Sequence, residues 1–165
     1  MASFTITTGE KCDDYETPQL AFEMLLPYID TSNIIYDPFY CNGLAKEYLN
    51  NIGYKNVIHE DEDFYAKWCN YNFDIIITNP PYSNKVRVFK ELYKIDKAFA
   101  VLVPVSTISK LFLKKIFGKN LDKIQLIIPD KRIHFIKNGV QSTRNWYDTI
   151  WIAYKLNLEK DITFC

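Results

Sequence analysis

Asn79-Pro80-Pro81-Tyr82 are four consecutive residues of this 165-residue chain whose types do chemistry only in combination. Two prolines stiffen the backbone and remove two N–H donors, leaving carbonyls free to accept. Asn79 adds a side-chain carbonyl and Tyr82 an aromatic face. The product is a rigid acceptor pair beside a stacking platform, which suits a planar ring carrying an exocyclic NH₂. The bland alternative is a Pro-Pro turn leaving a buried strand. A second candidate is "DPFYCNG", residues 37–43. Asp37 offers a carboxylate to a cationic or hydroxylated ligand, and Gly43 lets a ligand approach the backbone. An ordinary strand-to-helix turn uses the same dipeptides. Third, Glu60 stands 23 residues after Asp37, close to the spacing at which an acid meets ribose hydroxyls in nucleotide-binding βαβ units, with Asp61 as the fallback. Asp63 and Phe64 follow at once, although an acidic cluster beside a helix start is often only a solvated face.

The elements that must position these residues alternate. "TPQLAFEMLLPYI" reads as a helix capped by Thr17, with Pro18 at its first position and Ala21, Met24, Leu25 and Tyr28 on one face. A short buried strand over 33–37 leads into the helix "GLAKEYLNNIG". "KNVIHE" and "FDIIITN" are further strands; "SNKVRVFKELYKI" reads as a helix, "AFAVLVP" as a strand and "STISKLFLKKIFG" as a helix. "IQLIIP" and "TIWIAYKL" close the chain as strands, with a basic loop between them. Strand–helix alternation with fully apolar strands predicts a mostly parallel sheet with helices on both faces, and the helix-free last connection predicts an antiparallel edge strand. Ligands of such sheets sit beyond the carboxyl ends of the strands, where all three candidate stretches lie. His59 is assigned no role.

No apolar run reaches membrane-spanning length, and the first residues lack a signal peptide's basic and apolar regions. Cys12, Cys41, Cys69 and Cys165 show no CxxC pairing, so neither zinc nor a disulfide framework is expected, and an intracellular setting, cytoplasm or nucleus, is. Net charge is zero, yet residues 1–83 hold 13 acidic and 4 basic side chains, a net −9, while residues 84–165 hold 16 basic and 7 acidic, a net +9. The split points to a polyanion-facing surface in the second half. Its expected members are Lys110, Lys114, Lys115, Lys119 and Lys123, together with Lys131, Arg132, Lys137 and Arg144 in the loop "PDKRIHFIKNGVQSTRNWYD". The loop aromatics Phe135, Trp146 and Tyr147 either stack on bases or pack in the core.

Taken together, the motifs resemble those of the S-adenosylmethionine-dependent amino-methyltransferases, specifically the branch acting on the N6 amine of adenine in DNA or RNA. "DPFYCNG" is similar to that family's Asp-Pro-Phe-x-Gly-x-Gly turn and "NPPY" to its catalytic motif. "DDYETPQ" resembles the Tyr-x-Thr-Pro element that closes over the methionine part of the cofactor, and Asp63-Phe64, 16 residues before Asn79, resembles the pair reading the cofactor adenine. Asn-Pro-Pro-Tyr also occurs in enzymes methylating protein glutamine or guanine N2 in RNA, but the Asp-Pro-Phe turn and the upstream Thr-Pro favour adenine. Two departures stand out. Cys41 replaces the middle glycine of the turn, and the segment between Glu60 and Asp63 is short enough to cost one helix and a strand.

The resemblance implies a Rossmann-like class I methyltransferase fold over a single minimal domain, residues 1–165, with a polar leader at 1–14 and no separate target-recognition domain. Asn79, Pro80, Pro81 and Tyr82 would be catalytic. Tyr15, Thr17 and Pro18 would meet the methionine end of S-adenosylmethionine, Asp37, with Pro38, Phe39 and Gly43 of its turn, the methionine amine, Glu60 the ribose, and Asp63 and Phe64 the adenine. The partner would be nucleic acid, DNA somewhat ahead of RNA. Without a recognition domain the chain either reads a very short sequence, binds single strands, or borrows specificity from a second copy or partner subunit. The rival readings are a catalytically silent homologue, motivated by Cys41, and a protein glutamine methyltransferase, which would not need the basic half.

Overall fold

The computed structural model describes residues 15–137, 139–141 and 148–165. Seven strands form one sheet in the order β2-β1-β3-β4-β8-β5-β9. These are β1 (Ile34–Tyr36), β2 (Asn56–Ile58), β3 (Ile75–Thr78), β4 (Ala98–Pro104), β5 (Ile124–Ile128), β8 (Thr149–Tyr154) and β9 (Ile162–Phe164). A separate two-stranded ribbon joins β6 (Ile136–Lys137) to β7 (Val140–Gln141). Within the seven-stranded sheet, among the described residues, only β8 opposes its neighbours; it runs antiparallel to β4 and β5, and the other pairings of that sheet are parallel. The antiparallel strand therefore lies toward the expected end of the sheet but is inserted between β4 and β5. The unanticipated β9, parallel to β5, lies outside it.

The strands read as continuous apolar runs because both faces are covered. Along β4, Ala100 and Leu102 face a core shared with Ala21, Phe22, Leu25 and Leu49, whereas Phe99, Val101 and Val103 face one shared with Val88, Phe89, Leu113 and Phe117. Helices α1 (Gln19–Glu23) and α2 (Leu44–Asn51) thus pack on one face, and α4 (Lys85–Ile95) and α5 (Leu111–Phe117) on the other. Trp151 of β8 fixes the first layer, fully buried and donating from Nε1 to the Ala21 carbonyl at 3.2 Å.

Two helices are shorter than their patterns suggest, and one connection is short. The first helix stops at Glu23 and continues only as turns, because Pro27 supplies no N–H and disfavours helix before it. Pro18, not Thr17, is its N-cap, and no side chain caps it. Between β2 and β3, residues 59–74 hold only α3 (Phe64–Lys67) and the 3₁₀ turn Trp68–Asn70, so β2 is an edge strand. The chain goes directly from β4 into a 3₁₀ turn, Val105–Thr107, before α5. Among the described residues no helix is long and apolar enough to cross a membrane.

Candidate active site

Parallel pairing sets the site. Tyr36 of β1 registers with Ile58 of β2 and with Ile76 of β3, so Asp37, His59 and Asn79 emerge at one edge of the sheet. A cavity of about 350 Å³ opens there, within the range of small-ligand sites. Its wall includes Tyr15, Thr17, Asp37, Pro38, Phe39, Asp63, Phe64 and all four of Asn79, Pro80, Pro81 and Tyr82. Three expected cofactor residues are off that wall. Pro18 caps α1 and Gly43 caps α2. Glu60 turns outward, half exposed, to an ion pair with Lys46 at 3.6 Å. Asp61, the fallback, is on the wall, with Glu62 beside it.

Asn79 is held by one end of its amide. Its Nδ2 donates to Thr17 Oγ1 at 2.9 Å, whereas its Oδ1 is sealed from solvent and has no hydrogen-bond partner. Thr17 therefore anchors Asn79 instead of capping a helix. The segment carrying Thr17 is itself pinned. Glu16 exchanges backbone hydrogen bonds with Ile136, at 2.8 and 2.9 Å, and its carboxylate accepts from Asn42 Nδ2 at 2.7 Å and from the Tyr48 hydroxyl. That hydrogen bond, with burial and the Glu16 charge behind it, pushes the Tyr48 phenol up to about 12.

Asp37 is buried and oriented from three sides. Thr78 Oγ1 donates to its Oδ1 at 2.5 Å, the Phe39 N–H approaches the same oxygen at 3.4 Å, and His59 Nδ1 lies 3.5 Å from Oδ2. Burial raises its carboxyl above the ordinary carboxylate range, against the opposing pull of His59 and of the Thr78 hydrogen bond. His59, given no role from sequence, is thus part of the site's support. Its Nδ1 is also 3.0 Å from the Asp37 carbonyl, and its ring stacks on Tyr40 with centroids 5.0 Å apart. The signal available in the sequence was positional, since His59 follows β2 as Asp37 follows β1.

Asp63 begins α3, accepting from the Tyr65 N–H at 3.0 Å, which fixes Phe64 against the cavity. Cys41 also reaches the wall, with a left-handed φ of +49°. The turn therefore keeps a glycine-like backbone despite the side chain, at a cost of about 1–2 kcal/mol. Gly43, φ +81°, sits under Tyr40, whose hydroxyl would be 2.7 Å from an added Cβ. Phe135, expected on the polyanion face or in the core, is buried and lines the cavity. Five carboxylates, of Glu16, Asp37, Asp61, Glu62 and Asp63, belong to this wall, and none of its described residues is a lysine or arginine.

The residues expected to face a polyanion lie on more than one element. Lys110, Lys114 and Lys115 are exposed at α5, Lys131 and Lys137 are exposed, and Arg132 is tied to Asp148 at 2.6 Å. Arg144, Trp146, Tyr147 and the leader at 1–14 lie outside the described residues.

A doubly wound, mostly parallel sheet thus carries an acidic, aromatic cavity and an Asn-Pro-Pro-Tyr corner at its carboxyl edge. Residues 19–162 match the family model of the Eco57I restriction-modification methylase, and the chain belongs to that family. Among solved structures, TrmN from Thermus thermophilus aligns with TM-score 0.42 and 14% identity over 82% of this chain and 48% of its own. A proposed methyltransferase from Thermoplasma acidophilum aligns with TM-score 0.34 and 11% identity over 79% of this chain and 59% of its own. The chain thus spans about half to three-fifths of the length of these structures. A sequence search of curated proteins finds no match.

Proposed function

We propose that this chain transfers a methyl group from S-adenosylmethionine to the N6 amine of adenine in nucleic acid. The family's description as a restriction-modification methylase favours DNA over RNA. One observation carries the reading. Asn79, whose Oδ1 is buried without a hydrogen-bond partner, and Asp37 line the same cavity. A buried acceptor left without a donor costs about 1–3 kcal/mol, and an incoming amino group would remove that cost.

The wall chemistry fits the donor. Among its described residues the wall has five carboxylates and no basic side chain, which suits a cationic ligand with no phosphate. S-Adenosylmethionine, when bound, supplies an electrophilic methyl group on a positively charged sulfur. Asp37 would hold its ammonium, Asp61 would meet its ribose, and Asp63 with Phe64 its adenine. The protein's own part in transfer is geometric and electrostatic. An aromatic amine is a poor nucleophile because its lone pair is delocalised into the ring. Asn79 Oδ1 and the Pro80 carbonyl, accepting its two N–H groups, pull the nitrogen toward tetrahedral geometry and stabilise the positive charge developing there. Tyr82 stacks on the base, worth about 1–3 kcal/mol. No base need remove a proton before the methyl arrives.

Titration calorimetry tests the cofactor half. S-Adenosylmethionine should bind, bind more weakly after Asp37→Ala or Asp63→Ala, and far exceed ATP in affinity. No heat with the intact protein would instead support a catalytically silent homologue.

A further inference from the structure

The two ends of a primary carboxamide are similar in size and opposite in chemistry, an acceptor oxygen and an NH₂ with two donors. The Asn79 corner can receive an aromatic amine only through the oxygen. Turned end for end, the side chain would set N–H against N–H. The last torsion of an asparagine is broad and roughly two-fold, so the side chain's own preferences do not choose between its ends. Something outside the Asn-Pro-Pro-Tyr motif must hold it.

Thr17 Oγ1 accepts from Asn79 Nδ2 at 2.9 Å, while Oδ1 is buried without a partner, and both residues line the cavity. Thr17 is suited to stay in place. Its branched Cβ stiffens χ1, and Pro18 after it disfavours helical backbone at Thr17. Glu16 before it exchanges backbone hydrogen bonds with Ile136 of β6 and takes the Asn42 amide and the Tyr48 hydroxyl on its carboxylate. A hydroxyl can also donate, so a reversed Asn79 would still find one bond to Thr17. The reversal would, however, carry two N–H donors into the buried position where one acceptor now lacks a partner. Leaving buried donors unmade is unfavourable, and here the count doubles.

We propose that Thr17 is a positioning residue for methyl transfer, its hydroxyl oxygen holding the NH₂ end of Asn79 so that Oδ1 is left for the incoming amine. The inference rests on the function proposed above and deepens it. The family resemblance gives Thr17 to the methionine end of the cofactor, whereas the hydrogen bond commits its oxygen to Asn79. The acceptor corner is then completed by a side chain 62 residues upstream of it.

Thr17→Val keeps the branched shape and removes the oxygen; Thr17→Ser keeps the oxygen and loses the branch. In proton–nitrogen correlation spectra, the Asn79 side-chain amide pair is identified by its loss in Asn79→Ala. That pair should shift in the valine variant and return toward its parental position in the serine variant. In single-turnover transfer at saturating S-adenosylmethionine, misplacement of the acceptor should slow the valine variant about 10²-fold. The serine variant should recover most of that loss, and neither should change cofactor affinity by more than about twofold. In an Asn79→Ala background, Thr17→Val should add no further loss, because it acts through the side chain already removed. An unmoved amide pair, a serine variant as slow as the valine one, or losses that multiply in the double variant would each overturn the proposal. So would a valine variant that binds the cofactor weakly yet transfers at the parental rate, which would make Thr17 a cofactor contact only. A parent that labels no polymer would sink the nucleic-acid substrate instead. The amide pair then still decides whether Thr17 holds Asn79, a shift upholding the hold and its absence removing it.

Discussion

Replacing Asn79 by alanine should separate activity from stability in a way ordinary core damage cannot. The substitution deletes the acceptor that the transition state needs. Loss of one preorganised partner of that kind costs about 2.7–4 kcal/mol, or 10²–10³ in kcat. The folded state loses the 2.9 Å hydrogen bond from Asn79 Nδ2 to Thr17, worth about 1 kcal/mol net. It also sheds a buried, unpaired Oδ1, whose desolvation costs about 1–3 kcal/mol. The two contributions oppose, so the variant should lie between unchanged and about 2 kcal/mol more stable. At about 2–4 °C per kcal/mol for a chain of this size, its melting temperature should hold or rise by up to about 8 °C. The assay is single-turnover transfer of labelled methyl groups at saturating cofactor, beside calorimetry and a thermal melt. A rate within tenfold of the parent, with the cofactor still bound, would refute the acceptor role. A collapse in melting temperature would instead make Asn79 a structural residue.

Three further substitutions probe the support of the site. Asp37→Asn should raise the melting temperature at pH 7 while weakening cofactor binding. Burial raises the Asp37 carboxyl in the folded state, so the neutral form is favoured by folding below its unfolded pKa, and that stability is lost as pH rises through the folded value. The gain should therefore shrink toward pH 4, and a gain that grows on acidification would contradict the assignment. Gly43→Ala should cost at least about 1–2 kcal/mol from its left-handed backbone, more if the Tyr40 ring, 2.7 Å from the new Cβ at its hydroxyl, must leave His59; denaturant titration reads this. Cys41→Gly should relieve about 1–2 kcal/mol of left-handed strain against about 0.5–1 kcal/mol of lost unfolded-state restriction, so a stability loss beyond 1 kcal/mol would show the thiol makes contacts that outweigh its backbone.

The core of this fold was legible because it rests on local pattern. "AFAVLVP" has no polar residue to place elsewhere, and β4 occupies the same seven positions, Ala98–Pro104. The Asn-Pro-Pro-Tyr corner was legible for the same reason, as its chemistry is contained in four adjacent residues. What failed to show depends on partners distant in sequence. Thr17 looks like a helix cap until Asn79, 62 residues away, claims its hydroxyl. His59 looks idle until the β1–β2 register sets it against Asp37. Glu60 and Asp61 lie in the turn beyond β2, where no strand periodicity tells which carboxylate meets the cavity. The lysine-rich α5, conspicuous in sequence, contributes no residue to the cavity wall.

Methyl transfer itself decides the account most directly. The chain, supplied with tritiated S-adenosylmethionine and single- and double-stranded DNA and RNA, should label at least one polymer. Digestion of that polymer should release the label as N6-methyladenosine or its deoxy form. Label recovered on cytosine, guanine or protein glutamine, or none on any substrate despite measurable cofactor binding, would contradict the claim that the Asn79 corner receives an adenine amine.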